Sequence, residues 1–288
     1  MSSGGHQAGA FRELAVRVAE RLAAIPGISA IVLGGSCARG TADEHSDVDL
    51  GLYYDPRRPF ETAVLDQSAA LLDDRRCTGL VTGFGDWGPG VNGGGWLIID
   101  GRHVDLLYRD QDKVKGAIDA CRAGRPESIY QLGHPLGFHN QIYAGEVFCC
   151  RAIYDPEGLI GKFKRDTAQY PESLRQRLIA KHLFDAAFEL QISGKPAQRG
   201  DVLLVAACAS RIVGFLLLVL YALNRRYFVN EKGALAESRG FDLKPEEFHV
   251  DAAAALARIG EGPTELSATL GRLANLVETV RNLSERRD

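Results

Sequence analysis

Near the head of the chain apolar residues return every three or four positions, at Phe11, Leu14, Ala15, Val18, Leu22 and Ile25, until Pro26-Gly27 breaks the run. That spacing predicts a helix. Residues 30–33 are apolar and predict a short strand running into Gly34-Gly35-Ser36. From Asp47 to Tyr54 the period changes to two, so Val48, Leu50 and Leu52 share one face while Asp47 and Asp49 share the other. Residues 60–72 read as a helix, 80–84 as a strand and 85–95 as a glycine-rich loop. Two further strands, 96–99 and 103–108, meet at Asp100-Gly101, a tight-hairpin signal.

Beyond Tyr108 the pattern turns helical. A helix over 113–123 precedes a loop-rich region, 124–171, and long helical stretches follow near 173–193, 201–227 and 264–285, with a shorter one over 245–259. The fold class implied is α+β: an N-terminal mixed-sheet domain, residues 10–150, followed by a C-terminal helical bundle, residues 151–288. Residues 1–9 are Ser/Gly-rich and read as a disordered lead-in without a signal peptide.

Composition narrows this only a little. A chain of 288 residues with 45% hydrophobic and 25% charged residues can build two modest cores. Its formal net charge of −3 is no footprint of a dedicated nucleic-acid binder. The six cysteines include no C-x-x-C pair, which excludes finger-type metal sites and points to free thiols in a reducing cytoplasm. Residues 203–223 are nearly all apolar, yet Arg211 stands at their centre beside Ser210. A central arginine costs at least about 2.5 kcal/mol on insertion, so a buried bundle helix is expected and no membrane partner.

The chemistry concentrates between Leu33 and Leu50. Two glycines and a serine end a strand and open a helix, where backbone N–H groups and the Ser36 hydroxyl suit a phosphate. Eleven residues after Ser36, Asp47-Val48-Asp49 presents two carboxylates on one strand face, which alone would usually be two solvated acids but sit more comfortably around a hard divalent ion. Magnesium, with few protein ligands, leaves room for substrate phosphates.

Gly35-Ser36 followed by Asp47-x-Asp49 resembles the signature of the DNA polymerase β-like nucleotidyltransferase superfamily, and Asp105, in Gly101-Arg-His-Val-Asp-Leu-Leu107, matches its third carboxylate. The resemblance implies catalytic and metal-binding roles for Asp47, Asp49 and Asp105, and phosphate binding at Gly35 and Ser36. Asp105 would be the third metal ligand, the general base for the attacking hydroxyl, or both. The cofactor implied is Mg2+ or Mn2+, and the substrate a nucleoside triphosphate such as ATP. The second half is similar, less sharply, to the small-molecule branch, which includes the aminoglycoside-type enzymes. On that likeness Asn224, Arg225 and Lys232 are carried over as nucleotide-side residues. The acceptor expected is a small hydroxylated, antibiotic-like molecule. A toxin-type enzyme acting on tRNA or protein, and an inactive nucleotide-binding protein, are the alternatives; the expected assembly is a monomer or homodimer.

Several of these residues have plainer readings. Ser36 can serve as a simple helix cap, and Arg39 either reaches a phosphate or is an exposed helix arginine. The loop holding Asp86 and Trp87, with Trp96 beyond it, reads equally as a lid over substrate and as a mobile surface loop. His134 and His139 read as structural rather than metal-binding, Cys149-Cys150 as small buried hydrophobes rather than a redox pair, and Glu146 as a loop or helix-surface charge rather than a substrate-side acid. Arg225 and Arg226 can simply complement a helix dipole.

Overall fold

The computed structural model describes residues 3–285. The chain divides into two compact units. The first holds residues up to Asp119 with Ser128–Gly133 and Phe138–Gln169; the second holds Ala120–Glu127, His134–Gly137 and everything from Tyr170 on.

In the first unit the elements run α1 (Ser3–Leu22), β1 (Ile28–Leu33), α2 (Gly35–Arg39), β2 (Val48–Tyr54), α3 (Thr62–Leu72), β3 (Gly94–Ile99) and β4 (Arg102–Asp110). Then α4 (Gln111–Arg122), β5 (Ser128–Gln131) and β6 (His134–His139) carry the chain through both units, before α5 (Gln141–Cys149), β7 (Arg151–Tyr154) and α6 (Leu159–Thr167) return to the first. A five-stranded sheet is ordered β3-β4-β2-β1-β7. Only the β2–β4 pair is parallel; the other three are antiparallel.

One sheet face carries Val48, Leu50 and Leu52 of β2, Leu97 and Ile99 of β3, and Val104 and Leu106 of β4, all buried. Against it pack Leu14, Ala15, Val18 and Leu22 of α1 with Leu65 and Ala69 of α3. The period-two and helical patterns of the sequence thus meet in a single core.

Several expectations are revised. Helix α1 begins at Ser3, so most of the expected lead-in is helical, while Met1 and Ser2 lie outside the described residues. Residues 80–84 make no strand: they lie along β3 through a single bridge, Val81 to Gly95, with Trp96 N–H donating to Leu80 O and Thr82 N–H to Gly94 O. Phe84 then turns into a cluster with Tyr54, Phe60 and Tyr108, its ring centroid 4.7–5.3 Å from theirs, which ends the pairing. The region expected to be loop-rich contains β5, β6, α5, β7 and α6. Because β7 pairs with β1, residues 151–169 stay with the sheet, and the units divide the chain differently from a single cut at residue 150.

The second unit is helical: α7 (Glu172–Gln198), α8 (Val202–Leu223), α9 (Ala234–Glu237), α10 (Phe248–Ala257) and α11 (Pro263–Glu285). Helix α8 is capped by Asp201, whose side chain accepts from Leu204 N–H at 3.1 Å. It is long and apolar enough to cross a membrane, but it packs as a core helix, buried continuously from Ile212 to Leu223. Arg211 finds Glu189 of α7 at 2.6 Å, which settles the charge within a helix pair.

Candidate active site

The site is set by strand register. Across the parallel pair, Asp49 of β2 is the direct partner of Asp105 of β4, flanked by Val48 with Val104 and Leu50 with Leu106. Directly registered residues of neighbouring strands share a sheet face. The two half-buried carboxylates therefore stand side by side, facing away from the core that α1 and α3 cover. Asp47, also half-buried, lies one residue before β2.

The Gly34-Gly35-Ser36 turn closes on the same acids. Gly34 N–H donates to Asp49 O at 2.8 Å, extending the pairing past the end of β1. Gly35 has φ +57°, and a Cβ placed there would stand 2.7 Å from Asp49 Cγ and nearer still to its Oδ2. Glycine is required twice over at this position, for the left-handed backbone and for the room the carboxylate occupies. The N-cap of α2 is Gly34, so Ser36 lies inside the first turn rather than capping it. First-turn N–H groups have no intrahelical partner, which leaves this turn able to meet an anion.

Cys37 reports on the local field. Its thiol contacts Asp47 O at 3.4 Å. Burial pushes its pKa up to about 11, reinforced by the charges of Asp49 and Asp47 and opposed by the Ser36 hydroxyl and Arg102.

Further along the same face the surface is closed. Tyr53 and Arg109 are partners in the register, and the Tyr53 ring lies 6.5 Å from Phe163 of α6. Arg109, buried, makes a two-pronged ion pair with Glu146 of α5, both contacts at 2.8 Å. Burial works against the Arg109 charge, but Glu146 together with Tyr143 and Tyr53 outweighs it and holds the guanidinium protonated more firmly than usual. Glu146, expected as a surface charge, is a structural counter-ion.

On the other side of Asp105 stands Trp96 of β3, its direct partner across the hairpin. The row across the sheet therefore reads Gly34, Asp49, Asp105, Trp96. Trp96 is 60% exposed and stacks on Trp87 with ring centroids 4.5 Å apart and an interplanar angle of 25°. A Cβ on Gly94 would stand 2.6 Å from Trp87 Cζ3, so glycine there lets the Trp87 ring lie on the strand. The intervening loop is pinned: Trp87 N–H donates to Asn92 O at 3.0 Å, Asn92 Nδ2 to Tyr54 Oη at 2.8 Å, and Gly83 N–H to Asp86 Oδ2 at 2.7 Å. Behind β3, buried Asp73 accepts from Ile98 N–H at 2.7 Å and from Arg75, which in turn donates to Trp96 O at 2.9 Å. Sequence reading missed this arrangement of Trp96 and its support.

The remaining expected residues fall elsewhere. Arg39 is exposed in the last turn of α2. Asn224, Arg225 and Lys232 belong to the second unit. The Asn224 amide is engaged with the backbone, Nδ2 donating to Leu220 O and Leu243 O and Oδ1 accepting from Leu243 N–H. Arg225 pairs with Glu172 at 3.0 Å, and Lys232 is exposed. His134 pairs with Glu231 at 3.0 Å, a contact within the second unit.

Among the described residues no group of three His, Cys, Asp or Glu side chains stands ready to hold a metal ion. Asp49 and Asp105 still offer paired, hard oxygen donors, half-buried on one face of the sheet. That fits a cation bound by one or two carboxylates that completes its shell with water and substrate phosphates, and it does not fit an all-protein cage.

Residues 15–82 match the family described as "Nucleotidyltransferase domain", and residues 141–232 match a "Domain of unknown function". No functionally curated protein matches the chain. Among solved structures, the chain is similar to a nucleotidyltransferase-like protein from Exiguobacterium sibiricum 255-15, at 11% identity and a TM-score of 0.46, covering 93% of this chain and 75% of that one.

Proposed function

We propose that the protein, whose residues 15–82 match the nucleotidyltransferase family, transfers a nucleoside monophosphate from a nucleoside triphosphate to a hydroxyl acceptor at Asp49 and Asp105. The observation that carries this is the register of those two acids beside the Gly35 turn.

In this reading the Gly35 and Ser36 N–H groups and the Ser36 hydroxyl hold the β- and γ-phosphates. Asp49 and Asp105, with Asp47 beside them, hold Mg2+ or Mn2+, which when bound supplies charge stabilisation for the phosphates. Asp105 accepts the proton of the attacking hydroxyl. The acceptor oxygen bonds to the α-phosphorus while the bond from that phosphorus to the bridging oxygen breaks, and pyrophosphate leaves with the electron pair. A small hydroxylated acceptor remains favoured over tRNA or protein, since the net charge of −3 supplies no general attraction for nucleic acid.

Calorimetric titration with MgATP, together with transfer of α-labelled nucleotide to a panel of acceptors, tests the proposal. Wild type binds MgATP, whereas Asp49→Asn and Asp47→Asn lose metal-dependent binding and keep the fold. Unchanged affinity in both variants would sink the assignment.

A further inference from the structure

We infer that Trp96, backed by Trp87, is the acceptor platform of this site, and that the acceptor presents a ring face next to the hydroxyl that is modified. The inference rests on the nucleotidyl-transfer reading above for its chemistry and on sheet geometry for its placement. In-line displacement puts the entering oxygen and the leaving pyrophosphate on opposite sides of the α-phosphorus. With the Gly34–Ser36 turn on the Asp49 side of the row, pyrophosphate leaves toward that turn, and the acceptor enters from the Asp105 side. The next residue in that direction is Trp96. Neighbouring strands lie about 4.8 Å apart, so the Trp96 backbone is one strand from Asp105 and two from Asp49. A ring lying on Trp96 can therefore bring its own hydroxyl over Asp105.

Three features make this a built platform. The indole is largely exposed although it stacks on a second one, so Trp87 braces one side while much of Trp96 faces solvent. Its strand is fixed on both edges, by β4 on one side and by Asp73, Arg75 and the Leu80 carbonyl on the other. The loop carrying Trp87 is tied through Asn92 and Asp86. A tied loop of this kind differs from both expected readings, a lid over substrate and a mobile surface loop. An indole recognises the apolar face of a sugar ring or the flat face of a base, and it gives an acyclic polyol little to stack against.

Trp87 and Trp96 are the only two tryptophans in the chain, so its emission under red-edge excitation, where tyrosine does not absorb, reports on this platform alone. The probes are kanamycin and lincomycin as small ring-bearing molecules, total tRNA as the nucleic-acid source of the same ring chemistry, acyclic sorbitol, and MgATP. The expected result is that at least one ring-bearing probe quenches emission and accepts label. Trp96→Ala then raises the KM for that acceptor by roughly 5- to 100-fold, leaves the KM for MgATP unchanged, and is largely rescued by Trp96→Tyr. Response to tRNA alone assigns the ring to nucleic acid; response to the small molecules assigns it to a free glycoside. The proposal is overturned if no ring-bearing probe changes emission, if sorbitol serves equally well, or if Trp96→Ala weakens MgATP instead. Should a ring-bearing probe quench through Trp96 while wild type moves no label from any triphosphate, the nucleotidyl-transfer reading falls and the ring site stands.

Discussion

Replacing Gly35 by alanine separates the fold of this site from its function. Gly35 has φ +57°, and a non-glycine residue in the left-handed region costs about 1–2 kcal/mol. The added Cβ would also meet Asp49 Cγ at 2.7 Å, against an ordinary contact of 3.4 Å or more. A carboxylate is the far end of a flexible side chain, so it swings away and the fold survives. The acid must move by roughly 1 Å, and a misplacement of that size at a reacting centre costs on the order of 10²-fold in rate. Gly40 supplies the control: it caps α2 with φ +75° and has open space where a Cβ would go. Gly35→Ala and Gly40→Ala should therefore lose similar stability, roughly 2–8 °C in Tm from the backbone term alone. Pyrophosphate release with magnesium, a nucleoside triphosphate and an acceptor that takes label should fall about 100-fold in Gly35→Ala and stay near wild type in Gly40→Ala. Equal activities in the two variants would refute the argument that the Gly35 notch sets the Asp49 carboxylate.

Asp105→Asn should depress turnover by roughly 10²–10⁴-fold while keeping MgATP affinity better than Asp49→Asn does; near-normal turnover would show that Asp105 is not the base. Glu146→Ala should cost about 3–5 kcal/mol in urea unfolding, because it strands the buried Arg109 charge, and adding Arg109→Met should recover much of the loss; a single-variant loss under 1 kcal/mol would contradict this. Asp73, hydrogen-bonded by Arg75 and the Ile98 N–H, has its pKa lowered from 3.8 to about 2, so its contribution is full above pH 3.8 and disappears as pH falls through about 2. The stability gap between wild type and Asp73→Asn, measured by urea unfolding, should accordingly shrink between pH 4 and pH 2; a gap independent of pH would remove Asp73 from the acid response.

Local rules reached some of this site and stopped short of the rest. The Asp100-Gly101 turn, both residues at positive φ, fixes the hairpin so that Ile99 faces Arg102; counting back along the strands then places Trp96 opposite Asp105. That pairing was available from the sequence. The Asp49–Asp105 pairing was not, because β2 and β4 run parallel and are separated by a helix, a long loop and β3, and no turn sets their register. The strands and helices between residues 128 and 167 are short and interrupted by Gly and Pro, so periodicity had too little length to show in them. Glu146 looked like a surface charge because its partner, Arg109, is brought to it by a separate strand. Asn224 was carried over by likeness, but its amide is engaged in closing the end of α8 onto the Leu243 backbone.

What holds two acids side by side is the opposite face of the same strands. Like charges directly across a ladder are disfavoured, so Asp49 and Asp105 do not choose that register themselves. It is imposed by their neighbours: Val48, Leu50, Val104 and Leu106 are all completely buried against α1 and α3. A slip of one residue in either strand would turn that strand's two apolar side chains out and bring its carboxylate into the core. The apolar face thus supplies the binding energy for an arrangement that the polar face could not maintain. At Tyr53 and Arg109 the polar side of the sheet is closed over by α5 and α6, while Asp49 and Asp105 stay half-buried and Trp96, in the same row, is exposed. A site placed this way depends on register more than on loop conformation. Substitutions in the buried face that shift the β2–β4 pairing should therefore harm nucleotide handling even where they leave every polar residue in place.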